Sequence, residues 1–171
     1  MARTRPGEIA RIAKYGVLLG FAGGIAEVIW IAVYGSLSGG DTAEVARAIS
    51  ATAGAILPGN AFGGAPVLNG IVMHMVLAVA IGVALTFAWS GLVAHRPAWI
   101  DEFVFMLGAL AVVWAFNFFV LLPLISPSFV DLVPYPISLI SKLLFGLAGA
   151  FVLRNAAYDR FASIPVRVRA R

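Results

Sequence analysis

Four long stretches of the chain are apolar on every helical face: residues 15–37, 67–89, 103–124 and 137–153. A helix in a soluble protein keeps a polar face for water, and these stretches have none. Roughly 20 consecutive apolar residues match the hydrocarbon thickness of a bilayer, so each stretch is predicted to be a transmembrane helix. The expected fold is an all-α membrane protein, a four-helix bundle. Residues 1–14 then form a basic cytoplasmic N-terminus, 15–155 the membrane domain, and 156–171 a basic cytoplasmic tail.

The segments between the spans have patterns of their own. From Ser38 to Pro66 the chain turns polar, and Asp41 followed by Glu44 has the spacing of a capping box. Val45, Ile49, Ala53 and Ile56 then recur at helical intervals until Pro58-Gly59. This predicts a short amphipathic helix in the first outer loop, too short and too charged to span. The glycine-rich Asn60-Ala61-Phe62-Gly63-Gly64 leads back to the membrane. A short loop with His95, Arg96, Pro97, Asp101 and Glu102 joins the second and third spans. Pro123 marks the exit of the third, and a proline-rich connection from Ser126 to Pro136, carrying Asp131, leads to the fourth.

Composition sharpens this picture. Of 171 residues, 61% are hydrophobic and 12% charged, against roughly 25% charged in a soluble domain. The net charge of +4 does not point to nucleic acid, because the basic residues flank the apolar stretches as topology signals do. Arg3, Arg5, Arg11, Lys14, Arg96, Arg154, Arg160, Arg167, Arg169 and Arg171 fall on one side of the predicted membrane, Arg47 alone on the other, and Lys142 within the fourth span. Cytoplasmic loops collect Lys and Arg, so both termini are expected inside. Trp30, Tyr34, Trp89, Trp99 and Tyr135 fall near span ends, where amphipathic rings favour the interface. The basic start resembles a secretory signal, but the first apolar stretch exceeds the roughly 7–15 residues of a signal core, so a retained helix is expected. The absence of cysteine excludes disulfides, thiolate metal sites and cysteine nucleophiles.

Small residues mark packing faces. Gly16, Gly20 and Gly24 lie at intervals of four in the first span; Gly70, Ala78 and Gly82 stripe the second, and Gly146 and Ala150 the fourth. In lipid, close backbone approach at such residues drives helix association. It serves packing within one bundle and contact in a homo-oligomer or larger membrane complex equally well.

Four polar side chains fall inside the spans: Glu27, His74, Asn117 and Lys142. At 1.5 Å per residue they lie roughly 8–15 Å from the outer ends, in one slab. Glu27, His74 and Lys142 also sit three or four residues from small residues, on the inward stripe of their helices. A charge in lipid costs several kcal/mol unless paired, and Glu27 with Lys142 is the natural pair, with His74 and Asn117 expected as its hydrogen-bonding neighbours. The layer reads as a polar knot fixing helix register or as a proton- or ion-handling site, since Glu and His exchange protons in transport relays. Lys142 alone could also snorkel to the outer interface.

Other chemistries find little support. His95 is 21 residues from His74, about 30 Å along a helix, so one chain cannot clasp a haem between them, although two copies of His74 across a dimer could. The side chains of Met73-His74-Met75 diverge by about 100° per residue, which disfavours a copper site. No metal or cofactor is expected. There is no nucleotide-binding loop, paired inward carboxylates or nucleophile elbow, so no enzyme is expected.

Gly20-Phe21-Ala22-Gly23-Gly24 with Ala26 and Trp30, His74 followed by Gly82, Gly108 with Pro123, and Ser126-Pro127 with Phe129-Val130-Asp131-Leu132 together resemble the YagU-like bacterial inner-membrane proteins. The resemblance covers about residues 15–155. It implies a four-helix fold in a bacterial inner membrane and no established activity. It also implies a histidine in the fourth span where this chain has Lys142. Two functions stay open: a non-catalytic membrane protein acting by association, as an accessory subunit or oligomer, and a small proton- or ion-coupled conduit built on the polar layer.

Overall fold

A computed structural model describes residues 6–56, 65–92 and 98–162. The expected stop at Pro58-Gly59, the glycine-rich 60–64, the His95-Arg96-Pro97 loop, and Arg3, Arg5, Arg167, Arg169 and Arg171 lie outside them. The described residues form helices α1 (Pro6–Ser38), α2 (Thr42–Ile56), α3 (Pro66–Leu92), α4 (Trp99–Phe116), a π-helical segment (Asn117–Leu121), α5 (Leu122–Ile125), α6 (Pro127–Leu132) and α7 (Tyr135–Ala162). Four stretches are long and apolar enough to cross a membrane: Gly7–Ser38, Pro66–Leu92, Trp99–Ile125 and Tyr135–Ala156. Their outer faces carry large exposed apolar side chains such as Phe21, Ile29, Val104, Val112 and Phe151. The chain thus fits a multi-pass membrane protein.

The helices overrun the expected apolar limits for identifiable reasons. Pro6, pre-set for the first helical turn, opens α1 nine residues before the predicted start, and Ile12 is buried there. Asp101 and Glu102, expected in a loop, belong to the first turn of α4. The Asp101 carboxylate accepts the Ala98 N–H at 2.7 Å, and Glu102 is fully buried. The connection from Ser126 to Pro136 holds the short α6, opened by Pro127. α7 continues past residue 153 to Ala162. Within the third span, Pro123 lacks an N–H and its ring would collide with the carbonyl of Phe119, four residues back. The wide π turn relieves this by letting the Leu122 N–H bond the Asn117 carbonyl instead.

Side by side the long helices run in the order α3, α1, α7, α4. α1 and α3 touch backbone to backbone: a Cβ added to Gly82 would lie 2.5 Å from both the Gly16 oxygen and the Gly20 Cα, and one on Gly16 2.6 Å from the Val83 Cα. Gly24 receives Ala78 and Met75, and Gly23 makes room for the ring of Phe145. Leu19, Met106, Leu110, Phe145 and Leu153 form a fully buried apolar core between α1, α4 and α7. α3 and α4 approach each other at one end, where the rings of Trp89 and Phe105 sit 5.0 Å apart. At the other end they diverge, leaving a wedge.

α2 lies along α3 beside that wedge. A Cβ on Gly70 would collide with the Ala46 carbonyl, so α2 sits directly on the α3 backbone there. Asp41 caps α2 by accepting the Ala43 N–H at 2.9 Å, and its other oxygen binds the Arg47 guanidinium. The Arg47 hydrogen bond, helped by the Ala43 N–H, holds the Asp41 carboxyl below its ordinary value.

Gly108 is unlike the packed glycines: nothing lies within 4 Å of its added Cβ. Gly108→Ala should therefore raise the stability of α4 by about 0.5–1 kcal/mol, by removing backbone freedom from the unfolded chain. A rise in melting temperature in detergent micelles checks this.

Candidate functional site

The wedge encloses a half-open cavity of about 690 Å³. Its wall is mostly apolar, built from Val28 and Ile31 of α1, Ile49 of α2, Leu77 and Ile81 of α3, and Phe118 of the π segment. The four polar residues singled out in the sequence, Glu27, His74, Asn117 and Lys142, all line it.

Three of them meet. Lys142 Nζ lies 2.6 Å from Glu27 Oε1, and Ser141 Oγ donates to the same oxygen at 3.2 Å. Glu27 is 3% exposed. Lys142 bends inward, with its ammonium 5.9 Å from the centre of the Phe145 ring, and does not snorkel. His74 Nε2 faces the second carboxylate oxygen, Glu27 Oε2, at 3.6 Å. Neither of these buried atoms has a hydrogen-bond partner among the described residues. Among the described residues no hydrogen bond joins Asn117 to the other three. It opens the π segment and faces the same cavity.

His74 Nε2 and the second Glu27 carboxylate oxygen face each other across 3.6 Å, just beyond hydrogen-bond reach. A carboxylate only accepts, so a proton held on Nε2 and a small approach of the two side chains turn this gap into a charge-assisted hydrogen bond.

The elements deliver these groups by simple register. Ser138, Ser141, Lys142 and Phe145 share one face of α7, three or four residues apart. Ser138 is itself held, donating to the Tyr135 carbonyl and accepting from Trp114 Nε1, both at 2.9 Å. Trp30 Nε1 donates to the Ile137 carbonyl at 3.0 Å and ties α1 to the start of α7. The close α1–α3 approach at Gly20 and Gly82 sets His74 against Glu27. Met73 lines the cavity while Met75 packs on Gly24, so the two thioethers flanking His74 point apart.

The structure adds a further ionic contact, made by Glu102, which the sequence pattern placed in a loop. Glu102 Oε1 lies 3.4 Å from Arg154 Nη1, and the carboxylate is fully buried although Arg154 reaches solvent. Among the described residues its Oε2 has no hydrogen-bond partner. Glu102, Met106 and Leu110 recur at intervals of four, which was the available signal that Glu102 belongs to an inward helical face. The serines were equally visible in the sequence, Ser138 four residues before Lys142 and Ser141 directly before it.

Comparison with protein-family models, curated proteins and solved structures finds no match.

Proposed function

We propose that the chain is a small, non-catalytic multi-pass protein of a bacterial inner membrane that handles protons at the Glu27–His74 gap. Four crossings return the chain to its starting side, and the basic flanks favour the cytoplasm for that side. The cavity, α2 and α6 then belong to the outer half of the bilayer, with α2 as an amphipathic helix at the outer surface. The likeness to the YagU-like proteins supports the same location.

One observation carries the proton reading: a buried carboxylate oxygen and a buried imidazole nitrogen face each other 3.6 Å apart, without partners among the described residues, on two side chains that line a half-open cavity. A knot built only to fix helix register is expected to satisfy its polar atoms, since each buried unsatisfied group costs about 1–3 kcal/mol. Lys142 keeps the pair neutral at rest, and a proton entering the gap converts His74 to its cation beside the Glu27 carboxylate. Action by association with another subunit has less support, because Gly16, Gly20 and Gly24 already use their small faces on α3.

The test is proton uptake into liposomes holding the purified full chain, driven by a potassium gradient. Wild type should exceed empty liposomes, and Glu27→Gln should lower the flux by about a hundredfold, the low end of what a positioned proton-transfer group contributes. Equal flux from the two proteins overturns the proposal.

A further inference from the structure

The cavity is larger and more apolar than a proton alone requires. Its volume of about 690 Å³ falls within the roughly 300–1,000 Å³ of sites that take a small organic molecule. Polarity is confined to one end, where Glu27, His74 and Lys142 gather with Asn117 nearby, while the rest of the wall is aliphatic and aromatic. A wall of this kind suits an apolar body with a single polar head.

The chemistry of the head follows from the two unpartnered atoms. Glu27 Oε2 accepts hydrogen bonds and cannot donate. His74 Nε2 accepts or donates according to which ring nitrogen holds the proton. A head offering only a carbonyl or an ether oxygen leaves Glu27 Oε2 without a donor. A charged head would add an uncompensated charge to a cluster that Glu27 and Lys142 leave neutral, which burial in this environment disfavours. A neutral O–H group is the match, since it donates to Oε2 while its oxygen accepts from Lys142, or from Nε2 where that nitrogen carries the ring proton.

We infer that the cavity binds one uncharged amphiphile with a hydroxyl-type head, its O–H seated between Glu27 Oε2 and His74 Nε2 and its apolar body along Val28, Ile31, Ile49 and Ile81. The inference rests on the proton reading of the same gap. The ligand's hydrogen takes the position a transferred proton would take, so bound alcohol and proton exclude each other, and the amphiphile blocks proton flux.

The probe is 1-hexadecanol carrying a diazirine along its chain, added to the full-length protein in lipid nanodiscs. Ultraviolet labelling is followed by peptide mass spectrometry. Label should saturate and concentrate at Ile31, Ile49 and Ile81. Unlabelled 1-hexadecanol should compete, whereas its methyl ether, identical but for the lost donor, should compete about tenfold more weakly, as expected for one buried hydrogen bond. Hexadecyltrimethylammonium should not compete. Ala53→Phe, which narrows the cavity from α2, should lose the label while keeping its melting temperature. Equal competition by alcohol and ether overturns the inference, as does label spread evenly onto outward-facing Val104 and Phe119.

The two proposals fail separately. Glu27-dependent flux with evenly spread label removes the ligand and leaves the proton site. Saturable, ether-insensitive label with Glu27-independent flux removes both. Saturable, alcohol-selective label with Glu27-independent flux removes proton handling and leaves the gap as a ligand anchor.

Discussion

Lys142→Ala is expected to cost about 3–5 kcal/mol of stability, the usual penalty for stranding one partner of a buried ion pair. The Glu27 carboxylate is 3% exposed and Lys142 Nζ lies 2.6 Å from its Oε1. Without the ammonium, Ser141 is the one donor left on that oxygen, and a hydroxyl cannot neutralise a charge. Water entering from the half-open cavity lowers the penalty toward the bottom of the range. The pair contributes little net stability even though breaking it is costly, because desolvation offsets most of its attraction. Glu27→Gln combined with Lys142→Met should therefore recover most of the loss. Thermal unfolding of both variants in the same micelles decides it. If the single and the double variant fall equally, the cost comes from packing around the Lys142 stem and not from the stranded charge.

This asymmetry bears on why the polar layer was legible before any coordinates were known. A charge inside an apolar stretch needs a partner, so Glu27 and Lys142 implied one another. Their offsets from Gly20, Gly24 and Gly146 put them on inward faces by helix geometry alone. Depth along the helices also put His74 and Asn117 beside the pair; which carboxylate oxygen His74 faces, and at what distance, was not legible. It depends on how closely α1 and α3 approach, a distance set by backbone contacts that no periodicity encodes. Glu102 was misplaced because Pro97 and two adjacent acids resemble a loop, and the cue that overrides them is the four-residue repeat through Met106 and Leu110. The π turn at Asn117 follows from Pro123, but its position depends on which carbonyl the ring would strike. The wedge arises because α3 and α4 meet at Trp89 and Phe105 and part beyond them. Relative tilts of this kind are settled by packing and not by the apolar pattern of either helix.

Gly20→Val should be the most disruptive change among the small residues. A Cβ at position 20 runs into the Ala78 carbonyl and the Val79 Cα, and the facing Gly82 is equally tight against Gly16 and Gly20. These neighbours are backbone atoms, so no rotamer change makes room, and α1 must move away from α3 as a body. Overpacking costs about 1–3 kcal/mol where side chains can give way, and occasionally more; here the expectation is about 3 kcal/mol or above. Gly23→Ala, which meets the ring of Phe145, should be milder because a side chain can shift. The order of loss in melting temperature, Gly20→Val well beyond Gly23→Ala, is the first readout. The second is functional. Separating α1 from α3 draws Glu27 away from His74, widening a gap of 3.6 Å, so whatever Gly20→Val protein remains folded should conduct protons no better than Glu27→Gln. A folded Gly20→Val protein with wild-type flux would mean that the approach of the two helices does not set the site.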